Sequence, residues 1–335
     1  MTDFATETRT IPTQTAPAVP GDVIQYSEYT LDPANPLHGG CAYANGEFVP
    51  AADARISLFD AGFAHGDMTY TVAATWHGGL FRLDDHVDRL LWGAGQMGIE
   101  SPLPHAELKR IMIEMTARSG LREAFTWIVI SRGIHLLDVN DMVNVAPTVW
   151  AYATPYPWHV KPADQIGGVS AIVAESVRRS SAMTIDPKVK NLQWGDLSRA
   201  KQEAQAKGAY KAFLLDSDGF LTEGPGFNVL IVKDGVIRTP ARNCLPGITR
   251  RTVLELAGVL GIPSSVSDVS LAELRDADEV FITTTAGGVM PITELDGAVI
   301  GAGVPGLVTT SIRNAYWPLL DDAAYRTEVP YADFA

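Results

Sequence analysis

Cysteine is nearly absent from this chain. Only Cys41 and Cys244 occur in 335 residues. Two thiols so far apart build neither a disulfide framework nor a zinc spacing, so no metal is expected, and a reducing, cytoplasmic compartment is the simple reading. Positive charge is also short. Lys and Arg number 26 against 39 Asp and Glu, a formal net charge of −13. That balance disfavours a nucleic-acid partner and an anionic membrane surface, both of which need clustered basic side chains. No window approaches the roughly 18 uncharged apolar residues of a membrane span. The first residues carry Asp3, Glu7 and Arg9 among Thr, Pro and Ala, with no apolar core of a secretory signal. Lysine is rarer still, eight in all, so a lysine in apolar surroundings deserves weighing.

What is present is a globular composition, 46% hydrophobic, on a chain long enough for two domains. Residues 1–22 are expected to be a flexible arm, with order starting near Tyr26. A small N-terminal α/β domain is expected over 23–154, an extended Pro-rich connector over 155–166, and a larger domain over 167–335. Asn45-Gly46 between Cys41–Ala44 and Glu47–Val49 is a strong hairpin signal. A second hairpin is expected between Tyr70–Val72 and Leu80–Arg82, across His77-Gly78-Gly79. Leu83-Asp84-Asp85 offers an N-cap and an acidic first turn for a helix to about Met97. Further helices are predicted over Pro104–Arg118, Asp196–Lys207, Ile248–Leu260 and Pro305–Leu319. Strands are predicted over Phe125–Ser131, Pro147–Thr154, Gly168–Glu175, Ala212–Asp216, Asn228–Lys233 and Glu279–Thr283. Strands and helices mix without strict alternation and with tight hairpins, which points to an α+β fold rather than a doubly wound sheet.

Three kinds of segment carry chemistry. Lys188 and Lys190 share a loop, Lys190 lying between Val189 and Asn191-Leu192. A desolvated lysine is a usable amine nucleophile, but the chemistry alone does not choose between the two. Glu223 sits in the constrained loop Thr222-Glu223-Gly224-Pro225-Gly226, where a carboxylate can be aimed; an ordinary turn with a solvated Glu reads the same way. Three segments suit a phosphate: Arg82 before a helix, Gly247-Ile248-Thr249 at a helix start, and the hydroxyl- and Gly-rich Thr284-Thr285-Ala286-Gly287-Gly288. Each alone also fits a structural Arg, a cap or a flexible turn.

Together these segments resemble the fold type IV pyridoxal 5′-phosphate (PLP) enzymes, and among them the (R)-selective amine transaminases. The matching runs are Ile56-Ser57-Leu58-Phe59-Asp60, His65-Gly66-Asp67-Met68-Thr69-Tyr70-Thr71-Val72, Phe81-Arg82-Leu83-Asp84-Asp85-His86, Asp186-Pro187-Lys188-Val189-Lys190-Asn191-Leu192-Gln193-Trp194-Gly195-Asp196, Thr222-Glu223-Gly224-Pro225-Gly226-Phe227-Asn228, Leu245-Pro246-Gly247-Ile248-Thr249-Arg250 and Thr284-Thr285-Ala286-Gly287-Gly288. The resemblance implies that Lys190, not Lys188, is the Schiff-base lysine. It implies that Glu223 partners the pyridinium nitrogen and that Arg82, Ile248, Thr249 and Thr285, with Thr284, form a phosphate cup. Phe227, Asn228 and Gly247 join the cofactor set. His65, Tyr70, Val72, Phe125, Trp127, Trp194 and Ala286 are implied to line the substrate pocket. It further implies a C-terminal pseudo-barrel, a homodimer or larger assembly, and ping-pong amino transfer between a primary (R)-amine and a keto acid or ketone.

One segment departs from the pattern. Relatives with these motifs usually carry an arginine, for the acceptor's carboxylate, in the loop after Ser131-Arg132-Gly133. Here residues 134–144 hold no Arg or Lys. Arg132 is expected to be structural and His135 a surface-loop residue. Trp127 faces either the pocket or the core. The alternatives are a D-amino acid aminotransferase, a fold type IV aminodeoxychorismate-type lyase, and a PLP-binding protein without turnover.

Overall fold

A computed structural model describes residue 24 and residues 29–138 and 140–334. The arm expected over 1–22 and the start of order expected near Tyr26 lie outside them. Among the described residues the chain forms eight α-helices and two sheets, a mixed α+β fold as expected. It divides into two compact units. The first holds residues 29–157, Val189–Gln193 and the chain from Leu320; the second holds Trp158–Lys188 and Trp194–Leu319.

The first unit opens with a hairpin, β1 (Cys41–Ala44) and β2 (Glu47–Pro50). Asn45 and Gly46 take φ 55° and 86°, the left-handed pair a two-residue hairpin turn needs. Then follow α1 (Ala61–His65), β3 (Met68–Trp76), β4 (Gly79–Phe81), α2 (Leu83–Gln96), α3 (His105–Ser119), β5 (Ala124–His135) and β6 (Val145–Pro155). The strands pair antiparallel in the order β4-β3-β5-β6-β1-β2. The helices α2 and α3 cover one face, where Val87, Leu90, Ile111 and Met112 pack on Ala73, Ile128, Ile130 and Ala151. That set occupies alternate strand positions, as a period of two requires.

Two expectations here need correcting. The second hairpin is tighter than expected: Thr75 pairs Leu80 and Trp76 pairs Gly79. His77 and Gly78 both have positive φ, and this two-residue turn sets the register. Tyr70, Thr71 and Val72 instead pair Val129, Ile128 and Trp127 of β5. The N-cap of α2 is not acidic. It is Arg82, at φ 50° with no side-chain cap bond, while Asp84 and Asp85 fall in the first turn, where they complement the helix dipole.

The second unit begins with α4 (Pro162–Gly167), so the connector is helical from Pro162 rather than extended. Pro162 opens that helix, the position where its missing N–H is not needed. The chain continues through β7 (Val169–Val173), α5 (Gly195–Ala206), β8 (Lys211–Phe213), β9 (Glu223–Gly224), β10 (Phe227–Lys233), β11 (Val236–Thr239), α6 (Ile248–Val259), β12 (Ser264–Val266), α7 (Leu271–Arg275), β13 (Glu279–Thr284), β14 (Gly288–Leu295), β15 (Ala298–Val299) and α8 (Leu307–Leu319). The strand path β9-β10-β13-β14-β7-β8 is continuous. Beyond β8, the Leu214 N–H donates to Glu223 O (2.9 Å) and the Thr222 N–H to Leu214 O (3.0 Å), so the path returns to its start. Val229, Ile231, Val280, Ile282, Met290 and Phe213 form one core cluster of this unit. α5 packs Leu197, Ala200 and Ala204 on Ile172, Ala212 and Leu214. From Leu320 the chain rejoins the first unit, where β16 (Arg326–Glu328) pairs β4 and completes a seven-stranded sheet.

The β5–β6 ladder slips between Ser131 and Ile134. Gly133 sits in the slip at φ 77°, and a Cβ there would fall 1.7 Å from Ala146 O. Gly133→Ala is expected to cost at least about 2 kcal/mol, from the left-handed φ and the backbone collision together. Urea unfolding of the variant against the native protein measures it; an unchanged midpoint contradicts the assignment of this bulge.

Candidate active site

Lys190 belongs to the five residues that join the first unit. Its carbonyl accepts from the Tyr70 N–H (2.9 Å) and from Thr69 Oγ1 (2.9 Å), which ties the backbone to β3. Asn191 bridges its own turn, donating to Val189 O and accepting from Gln193 N. Gln193 donates to Gly66 O, at the end of α1. Lys190 is half-buried, with Nζ 4.5 Å from the Tyr70 ring centroid, whereas Lys188 is exposed. The two lysines, equivalent by local chemistry, thus differ in burial, and the half-buried one is the one that the resemblance implies. Lys211 is a third lysine in an apolar setting. Burial lowers it to about 8, but its Nζ donates to His159 O at 2.6 Å.

Pairing places Tyr70, Val72, Phe125 and Trp127 on the face of the sheet opposite α2 and α3. Trp127 therefore does not enter the helix-side core. It stacks on Tyr70 (centroids 4.4 Å apart, 5° between planes) and on Tyr152 of β6 (5.3 Å, 16°). His65, at the end of α1, is exposed. Arg82 is buried. Its guanidinium lies 4.7 Å from the Tyr325 ring centroid and 3.3 Å from Asp85 Oδ2.

In the second unit, Glu223, Asn228 and Thr283 form a row across β9, β10 and β13, since each is the direct partner of the next. Glu223 is buried at 5% exposure. Its Oε1 accepts from Arg179 Nε (2.9 Å) and its Oε2 from the Leu245 N–H (2.9 Å). Arg179 also donates from Nη1 to Asp196 Oδ2 at 2.6 Å. Burial pulls the Arg179 guanidinium down, but Glu223 and Asp196 outweigh it and its pKa is raised. Burial likewise opposes the charged form of Asp196. The Ser180 N–H and Arg179 overcome this and hold the carboxyl below its ordinary range.

Asn228 donates to Leu245 O at 2.8 Å, and a Cβ on Gly247 would strike Asn228 Oδ1 at 2.1 Å. Glycine lets the chain pass that close. Ile248 and Thr249 follow, both buried, at the start of α6, whose N-cap Gly247 makes no side-chain cap bond. Thr284 ends β13 and is the partner of Gly288 across a short turn holding Thr285 and Ala286. The Ala286 carbonyl accepts from the His159 N–H. Phe227, expected among the cofactor residues, points to the other face from Asn228. It packs in the core, edge-on to Phe213. Trp194 precedes α5 and lies beside Gly226, 3.4 Å from a Cβ built there.

Comparison with known proteins gives the family. The family model for class IV amino-transferases matches residues 68–295. The chain belongs to the class IV aminotransferase family. It is 36% identical over 276 residues to a putative branched-chain-amino-acid aminotransferase of Methanocaldococcus jannaschii (82% of this chain, 94% of that one). It is 35% identical over 273 residues to a D-alanine aminotransferase of Bacillus licheniformis (81% and 94%). Among solved structures it resembles the T.th. branched-chain amino acid aminotransferase complexed with N-(5′-phosphopyridoxyl)-L-glutamate (TM-score 0.80, 30% identity, 87% of this chain and 99% of that one). It also resembles that of Escherichia coli (TM-score 0.77, 27% identity, 87% and 99%). Class IV aminotransferases are PLP-dependent, and the expectation of a PLP-dependent aminotransferase holds.

The residues present fit that cofactor. A buried helix start with no side-chain cap calls for an anion or another acceptor, and α6 has one. Beside Asn228, the Thr283 hydroxyl is buried and has no hydrogen-bond partner among the described residues, a donor suited to a phosphate oxygen. Glu223 offers a buried carboxylate already opposed by a guanidinium. No thiol competes as nucleophile: burial pushes Cys41 up to about 12 and Cys244 up to about 11. Sequence reasoning missed Arg179, Thr283 and Tyr152. Arg179 carried no motif, Thr283 was read only as strand, and Tyr152 becomes visible only when β6 is laid beside β5. Asp196 stood in a quoted motif, yet its role as Arg179's second partner needed the fold.

Arg179→Met leaves two buried carboxylates without their cation. We expect it to cost about 3–5 kcal/mol. The native contribution of Asp196 is complete above the ordinary carboxylate pKa and fades as pH falls through its lowered folded value. In the variant that folded value rises, so acid unfolding begins at higher pH. Circular dichroism across an acid titration reads the shift; coincident native and variant curves would count against the triad.

Proposed function

We propose that the chain is an (R)-selective amine transaminase, moving an amino group between a primary (R)-amine and a keto acid or ketone. The observation that carries the choice of an amine over an amino acid donor is the missing carboxylate clamp. The same absence departs from the resembling transaminases and weighs against a keto acid acceptor as much as against a D-amino acid. Residues 134–144 supply no cation. Arg132, just before them, is committed to an ion pair with Asp67 and to the carbonyls of Met97 and Gly98. His135 is occupied by Asp141 O at 2.9 Å. The donor is therefore read as an amine without a carboxylate, seated against the apolar ring face of Tyr70, Val72, Phe125 and Trp127, with His65, Trp194 and Ala286 as further pocket residues.

Lys190 would hold the cofactor through Nζ and, when free, would take the substrate Cα proton as base and give it up again as acid. Bound pyridoxal phosphate supplies a ring that accepts the negative charge left at Cα. Glu223, ion-paired with Arg179, would face the ring nitrogen and favour its protonated form. Arg82, Ile248, Thr249, Thr284 and Thr285, with Gly247 and Asn228, bind the phosphate. A homodimer or larger assembly is supported by the exposed apolar side chains Leu58, Phe59, Leu137 and Val143. A cytoplasmic location is supported by two unpaired, buried cysteines.

A D-amino acid aminotransferase is the second reading, favoured by the likeness to the Bacillus licheniformis enzyme. Absorbance separates the two. The visible band of the bound cofactor should bleach with (R)-1-phenylethylamine and return with a keto acid. Bleaching by D-alanine alone favours the second reading, and no change with either amine sinks both. Lys190→Ala is expected to lower turnover by about 10²–10⁴-fold. Borohydride reduction and peptide mapping should put the label on Lys190 rather than Lys188 or Lys211.

A further inference from the structure

Three aromatic rings end at the Lys190 amine. Tyr152 of β6 stacks on Trp127 of β5, Trp127 stacks on Tyr70 of β3, and Lys190 Nζ lies 4.5 Å from the Tyr70 centroid. Phe125 closes edge-on against Trp127 at 5.9 Å. The register builds this row. Trp127 is the direct partner of both Val72 and Tyr152, and Tyr70 is its diagonal neighbour, within reach of a large ring.

The orientation of Tyr70 matters because an aromatic ring is negative on its face and positive at its edge. Face-on, it attracts an ammonium; edge-on, it repels one. Tyr70 is buried, and parallel contact with an indole that is itself held by Tyr152 and Phe125 gives one face of its ring a flat wall that fixes the ring plane. We propose that Trp127 is a positioning residue for Lys190, acting through Tyr70. The stack keeps the Tyr70 face toward Nζ while Lys190 is charged. This inference rests on the reading that Lys190 carries the cofactor. In the step concerned, neutral Lys190 takes the Cα proton and the C–H electron pair stays with the substrate–cofactor system. The resulting ammonium then delivers the same proton to the cofactor carbon. The ring face steadies the amine between the two transfers.

Single-turnover mixing of the PLP-loaded enzyme with an (R)-amine, protiated and deuterated at Cα, tests this. In Trp127→Leu the rate constant for bleaching at saturating amine should fall about tenfold. The deuterium isotope effect should be no smaller than the native one. The amine Kd is expected to rise as well, because the indole also lines the pocket, so the rate constant at saturating amine carries the test. Trp127→Phe, which keeps a stacking ring, should recover most of the rate. The proposal is overturned if Trp127→Leu raises only the Kd, since the indole then merely lines the pocket. It is also overturned if the two variants lose rate equally. Should Trp127→Leu fail to fold, Tyr152→Leu removes the outer ring and leaves the indole. A smaller rate loss with the isotope effect kept supports the proposal, and a native rate overturns it. Borohydride mapping of the native protein is scored separately: a label away from Lys190 removes the reading beneath, whatever the kinetics give.

Discussion

A guanidinium buried between two carboxylates is costly to assemble, and here it decides where three segments of the second unit lie. Arg179 follows β7, Asp196 opens α5, and Glu223 stands where the strand path closes on itself. Taking these charges out of water is favourable only if the remaining lone pairs are also met. They are: Ser180 and Leu197 N–H groups reach Asp196, and the Leu245 N–H reaches Glu223. The last bond extends the arrangement, because the segment it fixes leads directly into Gly247 and the start of α6. One ion triad thus places both a buried carboxylate and an uncapped helix start.

In the first unit the governing constraint is parity. A strand shows alternate residues to opposite faces, so one shift of register would exchange the helix-side core for the aromatic row. The two-residue turn at His77-Gly78 and the bulge at Gly133 pin β3, β4 and β5 against such a slip. Lys190 inherits this precision. Its carbonyl is bonded to β3, so its side chain starts from the rigid sheet and not from a free loop.

The sequence was most legible where local signals agree. Asn45-Gly46, the helical periodicity of α2 and the Pro-Gly before α6 were each read nearly as they stand. It was least legible where pairing partners decide the outcome. Tyr70–Val72 was assigned to the wrong neighbour because a turn type fixes register more tightly than a run of β-formers reveals. The connector was read as extended because prolines discourage helix, yet a proline at the first helical position favours one. In the site, Lys188 and Lys190 look alike by local chemistry; the motif resemblance points to Lys190, and its burial beside Tyr70 sets it apart from the exposed Lys188. Arg179, Thr283 and Tyr152 act through residues 44, 55 and 25 positions away in the chain (Glu223, Asn228 and Trp127). No local window reports such distances.

Family membership settles the reaction class without settling the hand or size of the substrate. A relative named for D-alanine and a neighbour holding an L-glutamate adduct share this fold. Discrimination must therefore come from side chains that vary on a common frame. Two such places stand out in this chain, and they pull in the same direction. The 134–144 loop carries no Lys or Arg, and the preceding Arg132 is tied into ion-pair and carbonyl contacts that a substrate carboxylate would have to break. Meanwhile β3, β5 and β6 present flat aromatic surface where a charged group would be poorly solvated. On that surface an apolar substituent is accommodated better than a carboxylate, whether the carboxylate belongs to an amino acid or to a keto acid.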